Sequence, residues 1–170
     1  MRKLARWVTV LLCPIFLFLI VGCSSKSAQP PAAPVLTFQA KTEITYGKNN
    51  YQCNLNYSPE QGAELKLLLP KELEGMEYSW DRKVLSVRYE GLEVSQENLI
   101  LPENSVLTLL LTSLDASSEA LTTSGDGLYF GSVGSYHFTL SADKRTGQIT
   151  QLDIPEEGFS ATFTPIADEG

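Results

Sequence analysis

FQAKTEITYGKNNYQCNLNY, residues 38–57, alternates apolar and polar side chains on both sides of a Gly-Lys-Asn-Asn reversal. Successive side chains of an extended chain point to opposite faces. Phe38, Ala40, Thr42, Ile44 and Tyr46 therefore fall on one side of a strand whose other side shows Gln39, Lys41, Glu43 and Thr45. Residues 51–57 return with Tyr51, Cys53, Leu55 and Tyr57 on one face. The pair predicts an antiparallel hairpin with one face for a core and one for water.

The same period continues toward the C-terminus. Ser58-Pro59-Glu60-Gln61-Gly62 is a turn, and 63–69 a strand with Leu65, Leu67 and Leu69 on one face. Residues 70–75 link it to a strand carrying Met76, Tyr78 and Trp80, with Leu73 expected to pack inward. Asp81-Arg82 turns into 83–89, where Leu85, Val87 and Tyr89 share a face, and a short strand follows at 92–94. The period then changes. After a cap at Asn104 or Ser105, Leu107, Leu110, Leu111 and Leu114 recur at helical spacing, with Val106 and Leu109 widening the stripe. This predicts a helix over about 105–118, greasier than a surface helix needs to be, acting either as a plug in the concave side of the sheet or as a movable lid. Residues 115–126 read as a loop. Leu128, Phe130 and Ser132 then share one face, followed by Tyr136, Phe138 and Leu140, a turn at 143–147, a strand at 149–154, and Phe159, Ala161 and Phe163.

About ten short strands and one helical insertion predict a mainly β fold, a curved antiparallel sheet. Its predicted inner face is rich in aromatics: Phe38, Tyr46, Tyr51, Tyr57, Tyr78, Trp80, Tyr89, Phe130, Tyr136, Phe138, Phe159 and Phe163. With the helix leucines this gives a candidate site for an apolar ligand, formed by Tyr51, Tyr57, Tyr78, Trp80, Tyr89, Leu107, Leu110, Leu111, Phe130 and Phe138.

The N-terminal stretch has a different composition. The first 22 residues hold Arg2, Lys3 and Arg6, no acid, and an apolar run over 7–21, the pattern of an export signal. Removing those 22 from 170 residues leaves 148, with 10 basic against 20 acidic side chains and a formal charge of −10. Nucleic acid is an unsuitable partner for such a surface. Ile20-Val21-Gly22-Cys23 resembles the bacterial lipobox, whose cysteine is lipidated and becomes the mature N-terminus. The resemblance implies acyl chains on Cys23 and anchorage at the extracytoplasmic face of the cell membrane. Residues 23–34, rich in Ser, Ala and Pro, read as a tether between that anchor and a domain over 35–170.

The residue inventory points away from catalysis, cofactors and metals. His137 is the only histidine, and alternation puts it on the solvated side of its strand, opposite in direction to Tyr136 and Phe138. Glu72 with Glu74 and Glu156 with Glu157 lie in turns far from it in sequence. Once Cys23 is acylated, Cys53 is the lone thiol of the domain and is expected to be buried and inert.

A lipobox, a tether, six strands, a helix and about four more strands resemble the LolA/LolB superfamily of lipoprotein carriers. The segment Asp143-Lys144-Arg145-Thr146-Gly147 leading into 148–154 is similar to a recurring turn of that family, and 159–163 to its closing strand. The resemblance implies an unclosed half-barrel with a helical plug or lid. It also implies a non-enzymatic role: holding a lipid or other hydrophobic ligand on the concave face, or serving as an interaction module for a cell-envelope or sporulation protein.

Overall fold

The computed structural model describes residues 31–97, 101–119 and 121–166. The export signal, Cys23 and the tether as far as residue 30 lie outside the described residues. The alternating stretch forms β1 (Phe38–Tyr46) and β2 (Asn49–Ser58), paired antiparallel from Phe38↔Tyr57 to Tyr46↔Asn49. There follow β3 (Gly62–Leu69), β4 (Glu77–Trp80), β5 (Val84–Tyr89) and β6 (Leu92–Glu97), then the helix α1 (Val106–Ala116). The chain continues through β7 (Thr122–Thr123), β8 (Leu128–Val133), β9 (Tyr136–Ala142), β10 (Ile149–Ile154) and β11 (Phe159–Pro165).

All eleven strands belong to one unclosed antiparallel sheet in the order β6-β5-β4-β3-β2-β1-β11-β10-β9-β8-β7. Each half is a meander of neighbouring hairpins. The halves meet at the β1–β11 pair, whose register runs from Ala40↔Pro165 to Tyr46↔Phe159. The sheet's two outer strands, β6 and β7, are also the two that flank α1 in sequence.

Local chemistry fixes the turns. The Asp81 carboxylate accepts from the backbone N–H of Lys83 (3.0 Å) and Val84 (2.8 Å), and Asp143 accepts from Arg145 (3.0 Å) and Thr146 (2.8 Å). These bonds hold both carboxyls below the usual carboxylate range. The stability they give is complete above the unfolded value and is lost as pH falls through the lower folded value.

One face of the sheet and α1 share the core, in which Leu55, Tyr57, Leu109, Leu110, Leu114, Phe138, Leu140 and Leu152 are fully buried. Of the two caps expected, Asn104 or Ser105, it is Ser105 that caps α1, its side chain accepting from the Thr108 N–H. Leu73 is half-buried against this core. On the opposite face an alternating row of charges crosses four strands: Lys66 to Glu77 (2.9 Å), Glu77 to Arg88 (3.5 Å) and Arg88 to Glu93 (3.1 Å).

Three expectations are corrected. Phe130 and Leu128 do not face the core; Phe130 is 42 % exposed, and Tyr129 is buried in their place. Pairing decides this, because residues opposite each other share a face and Tyr129↔Leu140, Gly131↔Phe138 and Val133↔Tyr136 are partners. Gly131 is the space that admits the Phe138 ring, since a Cβ there would stand 2.2 Å from it. Leu69 is exposed, because a register shift between Gln52 and Cys53 displaces the end of β3. Part of the region read as a loop forms β7, where Thr122 pairs with Phe130 on the outer edge.

The last residues of the predicted tether are held against the sheet. Ala32 N–H donates to the Lys144 carbonyl (2.9 Å), Tyr129 Oη donates to the Ala32 carbonyl (2.6 Å), and Val35 N–H donates to the Gly147 carbonyl (2.8 Å). Contacts with the sheet thus begin three residues before the expected start of the domain. Pro31–Gly170 form a compact unit of their own.

Candidate functional site

Tyrosine hydroxyls fix α1 in place. Tyr46 of β1 donates to the Asn104 carbonyl just before the helix (2.9 Å), Tyr57 of β2 donates to Asp115 Oδ1 (2.6 Å), and Tyr136 of β9 shares a hydrogen bond with Thr112 (2.7 Å). Asp115 Oδ1 also accepts from Arg82 Nη2 at 2.8 Å, tying the helix to the β4–β5 turn. The Arg82 guanidinium lies 5.3 Å from the Trp80 ring centroid, within cation–π range. Burial pushes the Tyr57 phenol well above its ordinary value, and the bond to Asp115 pushes the same way.

The helix does not cover the whole of the sheet face on which it packs. Between its N-terminal half and β4–β5 lies a groove of about 330 Å³. Trp80, Leu85, Leu101, Leu107 and Leu111 supply apolar surface, while Arg82, Lys83, Thr108 and Thr112 supply the polar groups. The size falls at the lower end of the ~300–1,000 Å³ typical of small-molecule sites, and an apolar wall with a few polar groups is their usual chemistry. A hollow of about 430 Å³ on the outer face, lined by Asn54, Asn56, Lys66, Glu77, Arg88 and Glu93 among others, has instead a floor of mutually paired charges. Another of about 430 Å³ lies beside Phe130 and His137 and is open to solvent.

Of the ten residues proposed from sequence to bind an apolar ligand, the groove brings together Trp80, Leu107 and Leu111. Tyr57, Leu110 and Phe138 are buried core. Tyr51, Tyr78 and Tyr89 are half-buried elsewhere, with Tyr78 bonded to Met76 Sδ (3.0 Å) and Tyr89 to the Glu72 carbonyl (2.7 Å). Phe130 is on the other face. The sequence reading missed Arg82, Lys83, Leu85, Leu101, Thr108 and Thr112; the run Trp80-Asp81-Arg82-Lys83, an aromatic and two cations at a hairpin tip, was the available signal.

His137 has a 79 % exposed side chain, with Nδ1 3.3 Å from Glu156 Oε1, on the solvated side where alternation put it. Cys53 is fully buried, and burial pushes its thiol from 9.0 up to about 12, with the Thr42 hydroxyl pulling weakly the other way. The folded chain thus favours the protonated thiol. Its contribution to stability is complete below the unfolded value and is lost as pH rises above it, toward the folded one. Iodoacetamide at pH 8 should label Cys53 at least ~10³-fold more slowly in the folded protein than in urea, because reaction waits for global opening. Labelling of the folded protein at the unfolded rate would mean that β1 and β2 open locally.

The chain matches no family model, and no curated protein matches it.

Proposed function

We propose that this protein is a non-enzymatic binder that holds the apolar part of a lipid or similar hydrophobic ligand in the groove between α1 and β4–β5. It does so on a LolA/LolB-like half-barrel, carried at the extracytoplasmic face of the membrane by acyl chains on Cys23. The observation that carries the reading is the groove itself, an apolar wall of Trp80, Leu85, Leu101, Leu107 and Leu111 beside a helix whose other side is fully packed.

Hydrogen bonding to α1 supports the half-barrel. Arg82 beside β4 and Tyr136 on β9 both bond the helix within one turn, at Asp115 and Thr112. Six inter-strand steps separate β4 from β9 in the sheet order. In a flat sheet that is about 29 Å, more than a helix ~10 Å across and two side chains span, so bending of the sheet around α1 accounts for the contacts. The tyrosine anchors favour a fixed plug with a permanent side groove over a lid.

Residues 31–170, purified gently from bacterial cytoplasm, should carry a stoichiometric adduct of lipid mass in native mass spectrometry. Leu107→Asp, at the half-buried leucine of the groove wall, should remove the adduct while circular dichroism stays unchanged. A clean apo mass that persists after incubation with phospholipid vesicles overturns the reading.

A second reading, docking on an envelope protein, rests on β6. This strand lies at one edge of the sheet, all six of its residues are exposed, and Leu92 and Val94 are 75 % and 67 % exposed. Such an edge can accept another strand.

A further inference from the structure

We infer that the groove selects a single-chain amphiphile with an anionic head, carboxylate or phosphate, seated at Lys83, its chain lying along Trp80, Leu107 and Leu111. This rests on the groove being a ligand site, and it adds which ligands that site prefers.

The charge of the lining is the first reason. The protein as a whole carries −7, yet the ionisable residues that line the groove, Arg82 and Lys83, are both cationic. Two acids of the adjoining turn and helix are already engaged. Asp115 accepts from Arg82 and Tyr57, and Asp81 accepts the backbone N–H groups of Lys83 and Val84.

The second reason is which polar groups remain uncommitted. Arg82 is held by Asp115 and by the Trp80 ring. Thr108 Oγ1 shares a bond with Ser105 Oγ (2.7 Å), and Thr112 Oγ1 is shared between the Thr108 carbonyl and Tyr136 Oη (both 2.7 Å). Among the described residues no salt bridge or side-chain hydrogen bond engages the Lys83 ammonium. It is thus a cation with no partner among the described residues at the groove's rim, and the Asp81 bonds fix where its side chain leaves the turn. An ammonium on a flexible stem suits a carboxylate or phosphate head without demanding bidentate geometry. A groove of about 330 Å³ suits one chain rather than two.

Trp80 reports on the test. It is the only tryptophan of residues 31–170, the chain's other being Trp7. That unit holds every described element and the whole described core. Its fluorescence is titrated at pH 8 in low salt, below micelle concentrations, with dodecanoate, dodecyl phosphate, dodecanol, dodecyltrimethylammonium and inorganic phosphate.

The two anionic amphiphiles should bind about five-fold more tightly than dodecanol, with dodecyltrimethylammonium weakest and inorganic phosphate alone unbound. Added salt should shrink the margin. Lys83→Ala should abolish it with dodecanol binding unchanged, and Lys83→Arg should keep it. Equal affinity for dodecanol and the anions, or a margin that survives Lys83→Ala, overturns the inference and leaves the groove reading standing. Binding of none of the amphiphiles removes both, and tight binding of inorganic phosphate alone overturns the inference in favour of a simple anion site.

Discussion

Leu110→Ala is expected to cost the folded protein about 2–5 kcal/mol, near the top of what a single truncation removes. Leu110 is fully buried, with Leu109 and Leu114 equally buried on the same helix. The cost of such a change depends on how far the surroundings relax into the space left behind. Here relaxation is opposed, because Tyr46, Tyr57 and Tyr136 fix α1 through Asn104, Asp115 and Thr112. The loss should appear as a lower denaturant midpoint at unchanged slope, with amides of β1, β2 and β9 exchanging faster together with those of α1. If α1 were a lid, only the amides of 106–116 would exchange faster and the midpoint of the sheet would hold. The experiment therefore measures stability and decides between plug and lid.

Gly62→Ala should cost about 2–4 kcal/mol and should also weaken the ligand binding proposed for the groove. Gly62 has φ +97°, where side chains are strained, and a Cβ there would stand 1.9 Å from the Trp80 carbonyl oxygen. That oxygen is backbone, so β4 must shift at the Ala63↔Trp80 pair. Trp80 lines the groove, and its fluorescence should report the displacement. Gly47→Ala is the control: φ is +59° and nothing lies within 4 Å of its Cβ, so only the strain of about 1 kcal/mol remains. Equal losses for the two variants would mean that the approach of β3 to the Trp80 backbone costs nothing.

Much of this fold was legible because β1, β2 and β4 keep their apolar residues in one parity, and β3 and β5 depart from it only at Leu68 and Val84. The helix was legible for the same reason, with Ser105 and the leucine spacing marking its start. Segment 128–133 carries no such signal, because Leu128 and Phe130 on one face and Tyr129 and Val133 on the other are all apolar. Only the partner strand chooses, through the Phe138 ring that Gly131 admits. The tyrosines were misread for a related reason. Periodicity says that a ring points inward but not whether its hydroxyl is used, and the Tyr57–Asp115 bond joins residues 58 apart. The basic rim of the groove exists only because the β4–β5 turn is brought against α1, a long-range consequence of the sheet that no local pattern encodes.

The β1–β11 seam carries a mechanical consequence. Ala40 opposes Pro165 at one end of the pair and Tyr46 opposes Phe159 at the other, so residues 38 and 165 leave the sheet at the same end. Tension applied between them loads the seam one residue pair at a time, as a zipper, where a shearing geometry would load every bond at once. The two meanders should part at low force while each keeps its own hairpins, still joined by the stretch of chain that carries α1. Pulled from residue 31 instead of 38, the chain would first load the strap at Ala32 and Val35, a weak link that absorbs the initial pull before the seam is reached.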